Sequence, residues 1–472
     1  LEWFRPGEHD RVDRVLDDMQ ALGVTELRTG ISWADACTPE GEAWYSWLFP
    51  PLARRVNVLP CFVDTPPGWG VAPKTSAPPG NLKSVADFLD VLITRHGRYF
   101  EWIELWNEPN GNVNYFRGSV ADYDKLYDYT AAALQAVDPK LRLGGPEVTG
   151  PAGRGASSFL RTFLEHCAAG KNAATGGIGA PLSHITFHAK GSPSMHDGHV
   201  RMGVMNQLRD IEAGFSIVAA NAKYKDLPII IGESDPDGCA ACAYKFYPQN
   251  GYRNGTLYAV YTAEQLARTY QLADEHHVNL EGAVTWAFQF DDQPYFAGFR
   301  AVGTNGIPLP VLNTFRMLGK MQGTGAERIV TNSSGDQGVD AIRRSGVRGE
   351  PDVAAMATRD DHRVCVLLWN YHDDDIPGPT AHITLTVNDL PAEAANAKLQ
   401  RWQIDQTHSN SFTAWKAMGS PQSPTAEQLA AVEKASNLAT IETPAPKIAN
   451  TTATMTLDLP RQGGTLLQSS WR

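Results

Sequence analysis

Residues 84–109 read SVADFLDVLITRHGRYFEWIELWNEP. Two periodicities meet in this stretch. Ser84 to His96 carries apolar residues at helical spacing and predicts a helix. Trp102 to Trp106 is a short apolar run and predicts a strand, closed by Asn107, Glu108 and Pro109. A helix that feeds a strand, with polar residues at the strand's end, is half of a repeating β/α unit.

The same unit recurs on both sides. Strands are expected at Val24 to Trp33, Asn57 to Val63, Leu141 to Val148, His184 to Phe187, Pro228 to Gly232 and Gly282 to Phe290. Helices are expected at His9 to Leu22, Trp44 to Arg55, Tyr123 to Val137, Ser158 to Ala168, Gln207 to Ala222, Thr256 to His276 and Leu312 to Met321. In the first of these, Val12, Val15, Leu16, Met19 and Leu22 share one face. Leu1 to Phe4 reads as a strand already under way, which leaves room for residues upstream. Counting it, eight strand–helix units fill residues 1–322, and the expected fold class is α/β, a closed (β/α)8 TIM barrel. No G-x-G-x-x-G joins a strand to a helix, so a dinucleotide fold is disfavoured. Residues 323–472 change texture. Val353 to Thr358, Arg363 to Tyr371, His382 to Val387, Lys398 to Ile404 and Thr452 to Leu459 read as strands, and only Thr425 to Ala435 as a helix. A C-terminal β-sandwich domain is expected there.

Composition limits the partners. The 472 residues are 42% hydrophobic and 20% charged, enough for a large core without metal or disulfide staples. The formal net charge of −11, without a basic stripe, argues against nucleic acid and against anionic membrane surfaces. No run of about 18 apolar residues suggests a membrane span, and no signal-peptide pattern is visible. The expectation is a soluble chain, cytoplasmic or periplasmic, acting on a small neutral substrate; the compartment and the oligomeric state stay open. Of six cysteines, only Cys239 and Cys242 form a C-x-x-C. Two plain loop thiols are the first reading, a local disulfide or redox pair the second, and a metal site the last.

In a barrel, chemistry is expected at the C-terminal ends of strands. Glu108 closes the fourth strand and Glu233 the seventh, and those ends face each other across the mouth. Two carboxyl groups flanking one bond are the minimum machinery for glycoside cleavage: one protonated, to help the leaving oxygen depart, and one ionised, to attack the anomeric carbon. The apolar strand around Trp106 favours an uncharged Glu108. Either glutamate alone reads more simply as a solvated or ion-paired loop residue; the pair together changes the balance.

Trp106-Asn107-Glu108-Pro109 resembles the acid/base signature of the large clan of retaining barrel glycosidases. Within it the chain resembles glycoside hydrolase family 39, which holds β-xylosidases and α-L-iduronidases. Gly232-Glu233-Ser234-Asp235-Pro236 is similar to that family's nucleophile segment, and Leu368 to His372, His408-Ser409-Asn410 and Trp415-Lys416 to its sandwich. The resemblance implies Glu108 as acid/base, Glu233 as nucleophile, and no metal or cofactor. It implies Asn107 on the sugar 2-hydroxyl, beside the plainer reading of a turn cap. His188 is implied as a site histidine, or a satisfied structural one. Lys190 stands where xylosidases can carry an aromatic and iduronidases a lysine for the uronic carboxylate. Trp286 is implied as the platform under the sugar ring, or a core tryptophan, and Asp291 as a hydroxyl ligand, or a solvated acid, with Arg300 farther along. Arg28 either pairs with Glu104 below the site or holds Glu233 ionised. Trp69 either walls the pocket or packs its loop. The expected activity is exo-acting, retaining release of terminal β-D-xylose from xylo-oligosaccharides. The rivals are an α-L-arabinosidase or uronidase, and a non-catalytic carbohydrate-binding protein.

Overall fold

The computed structural model describes residues 9–72, 75–290 and 293–471. Seven parallel strands form one curled sheet in the order β1 (Glu26–Ser32), β2 (Asn57–Val63), β3 (Trp102–Leu105), β4 (Arg142–Val148), β5 (Ile185–Lys190), β8 (Pro228–Asp235) and β9 (Asn279–Ala283). A short hairpin, β6 (Ser194–His196) and β7 (His199–Arg201), interrupts the numbering. Helices alternate with the sheet strands, as the barrel class requires. The expected strand at Leu1 to Phe4 lies outside the described residues.

The helix Ser84–His96 forms where the sequence predicts it and buries Val85, Leu89, Leu92, Ile93 and His96. The helix Val120–Val137 starts three residues earlier than expected, because Ser119 and Asp122 close a capping box that satisfies its first amides. Its Tyr123 donates to the Leu105 carbonyl at 2.8 Å, fixing the helix to the end of β3.

Three strand ends differ from expectation. β5 continues to Lys190 and β8 to Asp235, past the polar residues that were expected to end them. These residues pair across the two strands, His188 beside Glu233 and Lys190 beside Asp235. Polar groups that answer one another extend a buried strand as well as apolar ones do. The last strand spans Asn279–Ala283 rather than Gly282 to Phe290; Gln289–Phe290 (β10) belongs to a separate small sheet with β11 (Gly303–Thr304) and β12 (Ile307–Pro308).

The chain divides into two compact units. One holds Leu1–Lys190, Arg209–Asp235 and Leu272–Thr285; the other holds Gly191–Leu208, Pro236–Gln271 and Trp286–Arg472. The second contains a six-stranded antiparallel sheet of β13 (Glu327–Ile329), β14 (Asp352–Asp360), β15 (Arg363–Tyr371), β21 (Gly463–Ser470), β17 (Lys398–Ile404) and β18 (Ala439–Thr440). A smaller sheet joins β16 (Ala381–Val387), β20 (Thr452–Leu459) and β19 (Lys447–Ala449). Val364, Val366, Leu368 and Leu467 from the large sheet pack with Leu457, Leu459, Ile383 and Leu385 from the small one. Two sheets sharing one apolar interior make the expected sandwich.

Cys239 and Cys242 form a disulfide, where two plain thiols were the first reading. The turn brings their Cα atoms to 5.5 Å, within bridging range. Arg253 donates to the carbonyls of Cys239 and Cys242 at 2.8 and 2.9 Å, and Asp237 pairs with it at 2.8 Å. The neighbouring amino acids thus hold the loop in the shape that lets the two sulfurs meet.

β4 and β5 approach closely at Gly144. A methyl group there would lie 2.3 Å from the ring of His184, which burial keeps neutral by lowering its pKa to about 3. Gly144→Ala is expected to cost about 1–3 kcal/mol through overpacking, read as a lower urea midpoint with an unchanged denaturant slope.

Candidate active site

The C-terminal ends of β3, β4, β5 and β8 gather a cluster of charged side chains. Backbone strain marks the place. Trp106, Glu108 and Glu147 have φ values of 67°, 47° and 53°, a region that non-glycine residues seldom occupy. The Glu108 amide donates to the Glu147 carbonyl at 3.0 Å, and the Glu108 carbonyl accepts from Gly111 at 2.8 Å. The surrounding backbone therefore fixes the turn that projects Glu108.

One carboxylate oxygen of Glu108, one of Glu233 and a ring nitrogen of His188 lie within 4.8 Å of one another. Both glutamate side chains keep 15% exposure, whereas His188, Glu104 and Glu147 have none. His188 Nδ1 is 2.8 Å from Glu108, and its Nε2 is 2.5 Å from Glu147. Lys190 Nζ donates to Glu233 and to Asp235, each at 2.5 Å. Asp235 also accepts from Thr285 Oγ1 at 2.6 Å. Arg28 donates to Glu104 at 2.6 Å and to Asn107 Oδ1 at 3.0 Å, and its Nη1 is 3.8 Å from Glu233. Both readings of Arg28 therefore hold: it pairs with Glu104 and it faces Glu233.

Burial raises the cost of every charge here, and the neighbours decide the outcome. Burial alone would raise the pKa of Glu233; Lys190, His188 and Arg28 outweigh it and hold the carboxylate well below its usual range. Burial would lower that of His188, but Glu233, Glu147 and Glu108 bring it up to about 10, so its imidazolium persists at neutral pH. Glu147 stays ionised, down to about 2, because Arg28 and His188 overcome its burial. Glu104 goes the other way: burial and the nearby Glu147 push it well above the usual range despite Arg28. Asp210 is raised by burial to about 6 and accepts from the backbone amides of Lys190 and Ala152 at 3.3 and 3.1 Å.

The structure brings together Asn107, Glu108, His188, Lys190 and Glu233. Trp286 lies in the second compact unit, three residues past β9, with its ring edge-to-face with Phe290 at 6.0 Å. Asp291 lies outside the described residues. Arg300 is buried in the second unit, 3.5 Å from Asp237. Trp69 is 53% exposed and stands edge-on to Trp33 at 6.1 Å.

Sequence reasoning missed Glu147, and it gave Asp235 no role of its own. Glu147 had a usable signal, since it lies near the C-terminal end of a strand, as Glu108 and Glu233 do. Its contact with β8 depends on Gly232, where a methyl group would fall 2.4 Å from Glu147 Oε1. Among the described residues, Glu108, His188 and Glu233 are also the three that offer ligand atoms to one metal ion. A divalent cation there would meet the Lys190 ammonium 2.5 Å from Glu233 and a protonated His188. Those fixed cations make the donor set an ion-pair network rather than a metal cradle.

The sequence model of the glycosyl hydrolases family 39 matches residues 83–454. The chain belongs to glycoside hydrolase family 39. This family 39 chain is 24% identical over 332 residues to a β-xylosidase of Geobacillus stearothermophilus, covering 68% of itself and 57% of that protein. It is 26% identical over 376 residues to an α-L-iduronidase of Mus musculus, covering 72% of itself and 55% of that protein. It thus spans little more than half the length of these curated relatives. A monomeric β-xylosidase from Caulobacter crescentus CB15 shares the fold at a TM-score of 0.73 and 18% identity, over 98% of this chain and 92% of the other. Among the described residues of the family 39 chain, no helix is long and apolar enough to cross a membrane.

His188 gives the site a pH signature. A folded pKa of about 10, against 6.5 for an ordinary histidine, contributes stability that is complete below about 6.5 and is lost as pH rises through about 10. The difference in urea midpoint between the parent and His188→Asn is expected to shrink over that interval. A difference that stays constant with pH contradicts a charged His188.

Proposed function

We propose that the chain is a retaining exo-glycosidase that releases terminal β-D-xylose from xylo-oligosaccharides. The observation that carries this reading is the 4.8 Å limit on the separation of the Glu108 and Glu233 oxygens. Retaining glycosidases hold their carboxyl groups about 5–5.5 Å apart, whereas inverting ones need about 6.5–9.5 Å to admit a water.

In the first step a Glu233 oxygen attacks the anomeric carbon while Glu108 gives its proton to the glycosidic oxygen. The bond to the leaving group breaks, and a glycosyl ester of Glu233 forms. In the second step Glu108, now a carboxylate, takes a proton from water, and the resulting oxygen attacks the same carbon. The ester bond breaks and Glu233 is a carboxylate again.

The electrostatics of Glu233 support its role: Lys190, His188 and Arg28 hold it well below the usual carboxylate range, as a nucleophile that attacks in its ionised form requires. Asn107 commits its oxygen to Arg28, which leaves its NH2 group to donate to the sugar 2-hydroxyl. The family resemblance adds Trp286 as the platform under the ring and Asp291 as a hydroxyl ligand.

Lys190 favours a second reading, a uronidase, because an ammonium beside the nucleophile suits a substrate carboxylate. In this chain Glu233 and Asp235 already share that charge, which favours a neutral sugar.

A panel of aryl β-D-xyloside, α-L-arabinoside and α-L-iduronide is expected to give the highest kcat/KM on the xyloside, with β-xylose as the first product by NMR. Glu233→Ala is expected to abolish turnover. Glu108→Ala is expected to lose about 10²–10⁴-fold, with azide restoring turnover of activated aryl substrates as the β-glycosyl azide. Preference for the iduronide selects the second reading. Sugar binding by the parent without any turnover overturns both, in favour of a non-catalytic binding protein.

A further inference from the structure

The loop between β3 and the helix Val120–Val137 carries Glu108 at its start and an aromatic ring, Tyr115, near its middle. Tyr115 is 43% exposed, although its backbone is closely held. The Trp106 indole donates to the Tyr115 carbonyl at 2.8 Å, and the Tyr115 amide donates to the Asn112 carbonyl at 2.9 Å. Ser76 ties the same loop from outside, donating to the Val113 carbonyl at 3.0 Å and accepting the Arg117 amide at 2.8 Å. At Gly111, whose amide binds the Glu108 carbonyl, a methyl group would reach 3.3 Å from the Tyr115 ring. The ring therefore packs on the turn that presents Glu108. Its phenol lies within the field of the site: burial, Glu108 and Glu233 raise its pKa, and Lys190 opposes them.

A large exposed aromatic on a rigid loop has already met its ordering cost, and its face suits the C–H face of a sugar while its hydroxyl suits a ring hydroxyl. The proton donor stands on the side from which the leaving group departs. Tyr115 is carried on that donor's own loop. We propose that Tyr115 forms the binding platform for the leaving-group sugar, the neutral pyranose on the reducing side of the cleaved bond. This rests on the retaining-glycosidase reading above.

The test compares a substrate whose leaving group is a sugar with one whose leaving group has no ring. Parent, Tyr115→Phe and Tyr115→Ala are assayed on xylobiose and on β-D-xylopyranosyl fluoride. The ratio of kcat/KM for xylobiose to that for the fluoride is expected to fall about ten-fold in Tyr115→Ala, and by less in Tyr115→Phe, which keeps the ring. A ratio that stays at the parent value overturns the proposal, even when both rates fall together, as general damage to the fold would make them. If the parent prefers another sugar, the pair becomes that sugar's disaccharide and fluoride, so a wrong sugar and a wrong platform give different results. A parent that cleaves no glycosyl fluoride overturns the functional reading and this one with it.

Discussion

Mutual neutralisation of charges that have left water governs this structure. Arg28, His188 and Lys190 stand among five acidic side chains at the strand ends, and most of the group is shut away from solvent. An isolated charge in such a place would be very costly, so each member depends on the others. The rest of the half-barrel can be understood as the frame that keeps them together. β5 sets His188 beside Glu233 and Lys190 beside Asp235 by strand register. The turn after β3 and the end of β4 accept left-handed backbone at Glu108 and Glu147 to aim their carboxyls inward. Such strain survives only where the surroundings overdetermine it, and the backbone bond from Glu108 to Glu147 is one of the ties that do so.

The network also divides labour between its members. Of those without solvent access, Glu147 and His188 hold charge and Glu104 holds Arg28 in position. Glu108 and Glu233, at 15% exposure, are the two acidic groups of the inner cluster that a substrate can reach. Under the proposed function, electrostatic preorganisation of this kind needs no rearrangement when charge develops during reaction.

Much of this was legible in the residues alone. Apolar periodicity located the helix Ser84–His96, and short apolar runs located strands β2 and β3, to within a residue, because the helix buries one face and the strands bury both. The glutamates at strand ends, together with the Asn107-Glu108-Pro109 turn, pointed to the site. What was not legible shares one cause. β5 and β8 end in polar residues that satisfy one another across the sheet, so a reading based on apolar runs stopped too soon at Phe187 and Gly232. Glu147 escaped notice because its partners, Arg28 and His188, come from strands distant in sequence. The Cys239–Cys242 bridge depends on a turn shaped by Arg253 and Asp237, which no spacing rule contains.

Gly232 has no side chain, and the carboxyl group of Glu147 fills the volume that one would take. Two positions on strands that are not neighbours in the sheet therefore share a single parcel of space. A methyl group at 232 would force the Glu147 carboxyl to shift, and that carboxyl is the anion that His188 answers. The backbone just before the candidate nucleophile thus doubles as the seat of a carboxyl group that arrives from two strands away.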